Sequence, residues 1–267
     1  MRRRGEALIL HGMSADELPA DPDVAQIFAP VAVEDTVAGV LTEAASVLGQ
    51  IDDPVDAELW GSDLIGALAS SAAGQASLTG ALTGSLVPAA EATSTPGSLA
   101  LLRVFAAVGP AAVRSAAGQA ATRVSARGVA DAPWAAALGS PQVSECWHYA
   151  DVGGRQESLT MTFCYGDRPH AVCVLIDHGR GGKIRDTWVA KAAGLRAETE
   201  QAARDDPLVV FEMLDAADAG RRLQLAIGAG ECPEQPDQVD DVVAHRALLH
   251  ARLELLVSPG TRPPEER

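Results

Sequence analysis

SLTMTFCYGDRPHAVCVLIDHGRGGKIRDTWVA, from Ser158 to Ala190, is the stretch that decides the fold class. Three runs rich in Val, Ile, Thr and aromatic residues, Leu159–Tyr165, Ala171–His178 and Ile184–Val189, suit β-strands. Gly166-Asp167-Arg168-Pro169 and Gly179-Arg180-Gly181-Gly182 separate them, and quartets of this kind close hairpins. A four-residue first turn sets Tyr165 opposite His170. Side chains alternate along a strand, so Met161, Phe163, Tyr165, His170, Val172, Val174, Ile176 and His178 then share one face. Thr162, Cys164, Cys173, Leu175 and Asp177 line the other. A face this apolar requires helices to cover it.

The surrounding chain supplies those helices. Val33, Val37, Val40, Leu41, Ala44, Val47 and Leu48 recur at helical spacing, with Glu34, Asp35 and Glu43 opposite them. Asp52-Asp53-Pro54 breaks that helix and opens the next, whose stripe is Leu59, Trp60, Leu64, Ile65 and Leu68. From Ala69 to Gly97 the composition turns to Ser, Thr, Gly and Ala, which fits either closely packed helices or a surface loop. Ser98 caps a helix carrying Leu99, Leu102, Phe105 and Val108, and Pro110 starts another. Cys146 to Tyr149 reads as a short strand ahead of the meander. After it come a polar helix to Arg204, an apolar segment from Leu208 to Leu214, a helix capped by Asp215, and a last helix burying Val239, Val242, Val243, Leu249, Leu253 and Leu256. The fold expected is α+β: a helical N-terminal part, an antiparallel meander of three or four strands, and C-terminal helices packed on the sheet. Residues 1–30 form an irregular lead-in, 31–140 the helical part, 141–258 the part with the meander, and 259–267 a frayed tail.

Charge excludes several function classes. The formal net charge is −15, and no Lys or Arg occurs between Gly5 and Leu102 while 14 carboxylates do. Such a surface repels phosphate backbones and anionic lipid, so nucleic-acid and membrane binding are disfavoured; its plain reading is solubility, and its sharper one a docking face for a basic protein partner. Cys146, Cys164, Cys173 and Cys232 have neither CxxC spacing nor a disulfide framework, which suits a reducing compartment. No apolar stretch is long enough to span a bilayer, and the expected location is the cytoplasm.

Familiar catalytic patterns are missing. The sequence contains no HExxH, no GxSxG elbow and no EF-hand loop. Gly179 to Lys183 imitates a phosphate loop, but Ile184 stands where a hydroxyl is required and a strand follows instead of a helix. No cofactor or metal is implied. One polar cluster remains, at the second hairpin: Asp177, His178 and Asp186 as general base or acid groups, and Arg180, Gly181, Gly182 and Lys183 as an anion cradle. Glu157 and Asp167 are possible neighbours. Adjacent strand residues point to opposite faces, so Asp177 and His178 meet only where the strand bends, and an Asp at a strand end often just accepts turn amides. His170 reads as a turn residue, and Trp134 as a packing plug.

Trp134-Ala135-Ala136-Ala137-Leu138-Gly139, Cys146-Trp147, Glu157-Ser158-Leu159, Tyr165-Gly166, Val174 to His178, Gly181-Gly182 and Asp186-x-Trp188-Val189 together resemble a family of uncharacterised actinobacterial proteins. The family pattern has Asn-Leu before the glycine pair, where this chain has Gly179-Arg180. The resemblance implies an origin and a compartment, and brings no activity, cofactor or substrate with it. The residues themselves favour a non-enzymatic binding or regulatory module working through protein contacts. The alternative is a small hydrolase-type enzyme, or an anion- or ligand-binding protein, with its site at the Asp177–Asp186 hairpin.

Overall fold

A computed structural model describes residues 33–71 and 75–257. The lead-in 1–30 and the tail 259–267 lie outside the described residues. The N-terminal part is helical: α1 (Val33–Leu48), α2 (Pro54–Ser71), α3 (Gln75–Ala81), α4 (Val87–Thr93), α5 (Pro96–Val108) and α6 (Ala111–Ala126). The C-terminal part holds β1 (Gln142–Asp151), β2 (Gln156–Tyr165), β3 (Arg168–Asp177), β4 (Lys183–Lys191), α7 (Leu195–Asp205), β5 (Val209–Leu214), α8 (Ala216–Ala229) and α9 (Pro236–Val257). The fold is α+β, with helices before and after an antiparallel sheet. Among the described residues five strands form that sheet, in the order β4-β3-β2-β1-β5. The meander therefore has four strands, and the segment after Pro207 returns as a fifth on the far edge.

Small residues set the helix contacts of α2. A Cβ on Gly61 would collide with Val104 of α5, and one on Gly66 with the Val243 carbonyl of α9. These glycines let α2 touch both neighbours. Ser62 fixes the second contact, its hydroxyl donating to the Ala244 carbonyl and accepting from the Leu248 amide. The two parts of the chain thus share one apolar core, from Leu99 and Phe105 to Leu159, Val174 and Leu249.

The Ser/Thr/Gly/Ala stretch is helical from Gln75 to Thr93, with a π-helical turn at Leu82–Leu86 between α3 and α4. Pro88 follows that turn; proline has no amide to donate and its ring crowds the preceding turn, and a widened turn relieves both. The cap of α5 is Thr95 rather than Ser98. Thr95 Oγ1 accepts from the Ser98 amide while Ser98 Oγ accepts from the Thr95 amide, and Pro96 follows the cap. The α8 cap is Asp215, whose carboxylate accepts from the Asp218 amide at 2.7 Å.

The first hairpin is tighter than its four-residue reading. Tyr165 pairs with Arg168 and Phe163 with His170, leaving Gly166-Asp167 as a two-residue turn. Gly166 has φ of +62°, a conformation a II′ turn requires at that position. The slip is two residues, an even number, so every side chain keeps its face. Met161, Phe163, Val172 and Val174 are fully buried under α8 and α9, and Trp147, Ala171 and Cys173 are buried on the opposite face. His170 belongs to the core. It is 4% exposed and stacks on Phe163 and Tyr165, each 5.8 Å away between ring centroids.

Candidate functional site

The second hairpin separates the residues that the sequence grouped. β3 ends at Asp177, and His178–Arg180 form a 3₁₀ turn. Asp177 caps it, its Oδ1 accepting from the Arg180 amide at 3.2 Å. His178 lies on the Ile176 side of the sheet, facing α8. Asp186 pairs with Leu175 on the other face of the sheet and accepts from the Thr187 amide; burial, followed by nearby acids, pushes its carboxyl up. Asp177, His178 and Asp186 therefore occupy three different places, and of the three only His178 lines the cleft beside α8.

The loop amides are committed as well. Gly181 donates to the His178 carbonyl and Gly182 to the Asp177 carbonyl, both inside the turn, while His178 and Gly179 donate to Arg155. A nest needs unspent N–H groups, so this loop does not cradle an anion through its backbone. Arg180 and Arg185 clamp the two oxygens of Glu234, at 2.7 and 2.5 Å, and Lys183 stands across from Asp177 in the ladder.

What the structure gathers instead is a cluster around Glu157. This residue sits near the start of β2, opposite Ile176, and is 5% exposed. Three basic side chains converge on its Oε2: Arg222 of α8 at 2.8 Å, His178 at 3.4 Å and His148 of β1 at 3.6 Å. The register explains the meeting, because His148 pairs with Leu159 and so shares the Glu157 face. On its far side, His148 Nε2 lies 3.1 Å from Glu212 of β5. The Glu157 carboxylate raises the His148 imidazole, against burial, and Glu212 adds to the rise. Burial alone would push Glu157 up, but His148, Arg222 and His178 together outweigh it and hold the carboxyl below its ordinary range.

Glu157, His178 and Arg222 of this cluster line a cleft of ≈ 800 Å³ between the 178–182 turn and α8. One wall is apolar, made by Ile176, Leu225, Ala226 and Ala229; the other carries His178, Gly181 and Gly182, with Arg221 and Arg222 at the rim. Leu225 is 74% exposed and adds apolar surface to the apolar wall. Among the described residues no group of three or more His, Cys, Asp or Glu has a metal-binding arrangement. Of the seven residues named for the second hairpin, the cleft takes His178, Gly181 and Gly182. His148 and Arg222 were missed. His148 belongs to a strand whose full length, Gln142–Asp151, the sequence did not reveal, and Arg222 reaches the sheet only through the packing of α8.

No helix of the described residues is long and apolar enough to cross a membrane. Comparison with protein-family models, curated proteins and solved structures finds no match to this chain.

Proposed function

We propose that this is a non-enzymatic binding protein that takes a small amphipathic anion, a carboxylate head on an apolar body, into the cleft beside α8. One observation carries the reading. In a chain of net charge −15, the cleft is lined by two arginines and a histidine against a single carboxylate, next to an apolar wall. A guanidinium has five donors, and Arg222, 36% exposed at its side chain, gives Glu157 one nitrogen. An incoming carboxylate would meet Arg222 and His178 while its alkyl part lay on Leu225 and Ala229. The cleft lining includes no hydroxyl, thiol or amine to act as nucleophile, and Glu157, neutralised by three neighbours, is a weak base. Those two facts support binding over turnover, with His178 as the one remaining acid–base group in the lining. The four cysteines, all unpaired, fit a cytoplasmic protein.

The test is titration with hexanoate, hexylamine and hexanol, followed by the ring-proton NMR signals of His178 and His148. Hexanoate should move both signals and bind at least about tenfold tighter than hexylamine, and Arg222→Gln should erase the preference. Equal response to acid and amine would refute the reading.

Contact with a basic protein partner remains a second reading, on altered grounds. Part of the N-terminal acidity is spent inside the molecule: Glu58 on Arg252, Glu91 on Arg123 and Arg127, and Asp53 near Arg168. The surface that favours a partner lies elsewhere, on β5.

A further inference from the structure

We propose that the outer edge of β5 docks an extended, basic-flanked segment of a partner protein by adding it to the sheet as a strand. The two edges of the sheet are finished differently. On the β4 edge the chain that follows α8 makes one bridge, Ile184 donating to the Gly230 carbonyl and Cys232 to that of Ile184, and the strand carries Lys183, Arg185 and Lys191. Among the described residues no strand pairs with the outer side of β5.

The ladder shows which groups face outward. Val152 donates to the Leu208 carbonyl, and the register from Asp151↔Val209 to Cys146↔Leu214 continues without a bulge. In an antiparallel pair the backbone groups of alternate residues turn inward and outward. Leu208, Val210, Glu212 and Leu214 thus face β1, while Val209, Phe211 and Met213 aim N–H and C=O away from the sheet. The Val209 amide is met locally by the Asp206 carbonyl, which leaves Phe211 and Met213 as the strand's outward donors.

Apolar surface accompanies that edge. Leu208 is 65% exposed, Met213 45%, Val210 44% and Val152 59%. Edge strands are ordinarily blunted by Lys, Pro or a bulge, and β5 has none of these. Charge chooses the occupant. From Asp205 to Asp215 the chain carries four exposed carboxylates, Asp205, Asp206, Glu212 and Asp215, and no Lys or Arg. A second copy, paired about Phe211, would set Asp206 of each strand beside Asp215 of the other, a like-charge meeting between two chains of net charge −15. A strand with alternating apolar residues and flanking arginines meets the same edge with opposite charge.

The experiment uses the full chain and two labelled peptides, RRVTVTVRR and EEVTVTVEE, with fluorescence anisotropy as readout. The arginine peptide should bind with a Kd below about 100 μM, and more weakly as salt rises. Met213→Pro deletes an outward donor without touching the β1 ladder, and Val210→Lys keeps every backbone donor while repelling a basic strand. Each should weaken binding at least about tenfold, with thermal unfolding of each variant showing that it folds. Silence of the arginine peptide up to about 1 mM, equal affinity for both peptides, or indifference to both variants would overturn the proposal. So would a dimer in sedimentation that Met213→Pro dissociates, because a second copy would then hold the edge.

Discussion

Two ionic clusters stand on the same face of the sheet, at opposite ends of β2 and β3, and they are built from the same residue types. At one end Glu58 of α2 meets Arg252 of α9, with His170 and Tyr165 beside them. At the other, Glu157 meets Arg222 of α8, with His148 and His178. The first is sealed: Glu58 and Arg252 are both 0% exposed. Both oxygens of Glu58 are used, one by Arg252 and the other by the Tyr165 hydroxyl at 2.6 Å and the Gly139 amide at 2.9 Å. Arg252 also lies over the Phe163 ring, 5.1 Å from its centroid. The second cluster concentrates three basic groups on one oxygen and leaves its arginine at the solvent. Identical chemistry gives a weld where helices close over it and a reception site where they part. Burial, rather than residue type, decides between them.

The largest effect that separates the two is stability. Arg252→Met leaves Glu58 charged in a sealed site and should cost about 3–5 kcal/mol in urea unfolding. Arg222→Met, at a partly exposed pair whose carboxylate keeps two histidines, should cost about 1 kcal/mol or less. Similar losses for both variants would break the comparison, because they would make the cleft cluster structural too.

The meander was legible because its signals are local: β-branched runs, glycine pairs between them, and alternation that survived an even slip in register. β5 was not. Val209–Leu214 reads as an apolar segment of either kind, and only its pairing with β1, some 60 residues upstream, makes it a strand. The hairpin pointed to the right neighbourhood and the wrong constellation. Alternation already set Asp177 against His178, and in the structure His178 alone lines the cleft while Asp177 caps a 3₁₀ turn invisible in composition. His170 looked like a turn residue beside Pro169. The two-residue turn instead puts it opposite Phe163, inside the core. The sealed pair itself spans 194 positions from Glu58 to Arg252, a separation no local pattern encodes.

The next effect is the opposite pH response of the two clusters. Burial, then the charge of Arg252, pushes His170 down to about 3, so it folds neutral. Its contribution is complete above the unfolded value of about 6.5 and is lost as pH falls from there toward 3. His148 is raised, so its contribution is complete below about 6.5 and is lost as pH rises through its folded value. Glu157 is lowered, and its share is present above about 4.3 and lost as pH falls through its folded value. Acidification therefore strengthens the open cluster through His148 above about 6.5, and weakens the sealed one through His170 between about 6.5 and 4.3. By NMR, the His148 ring should titrate above an ordinary histidine while His170 stays neutral through that window. His170→Gln should flatten the loss of stability on the acid side, and His148→Gln the loss on the basic side. A His170 ring that protonates near pH 6 would mean that the weld admits water.

The smallest effect concerns the link between the cleft and the β5 edge. Glu212 faces His148 from β5 at 3.1 Å, yet its own side chain is 64% exposed. Solvent screens such a contact, so Glu212→Gln should lower the His148 titration only slightly and change stability by less than about 0.5 kcal/mol. Glu157→Gln acts on the same imidazole from a site 5% exposed, and should lower its titration clearly more. The order of those two shifts is the measurement that matters. If Glu212→Gln moves His148 as far as Glu157→Gln does, β5 is clamped to the cluster as firmly as β2. The open cluster would then reach beyond the cleft to the edge strand, and a peptide added at β5 would be felt at His148.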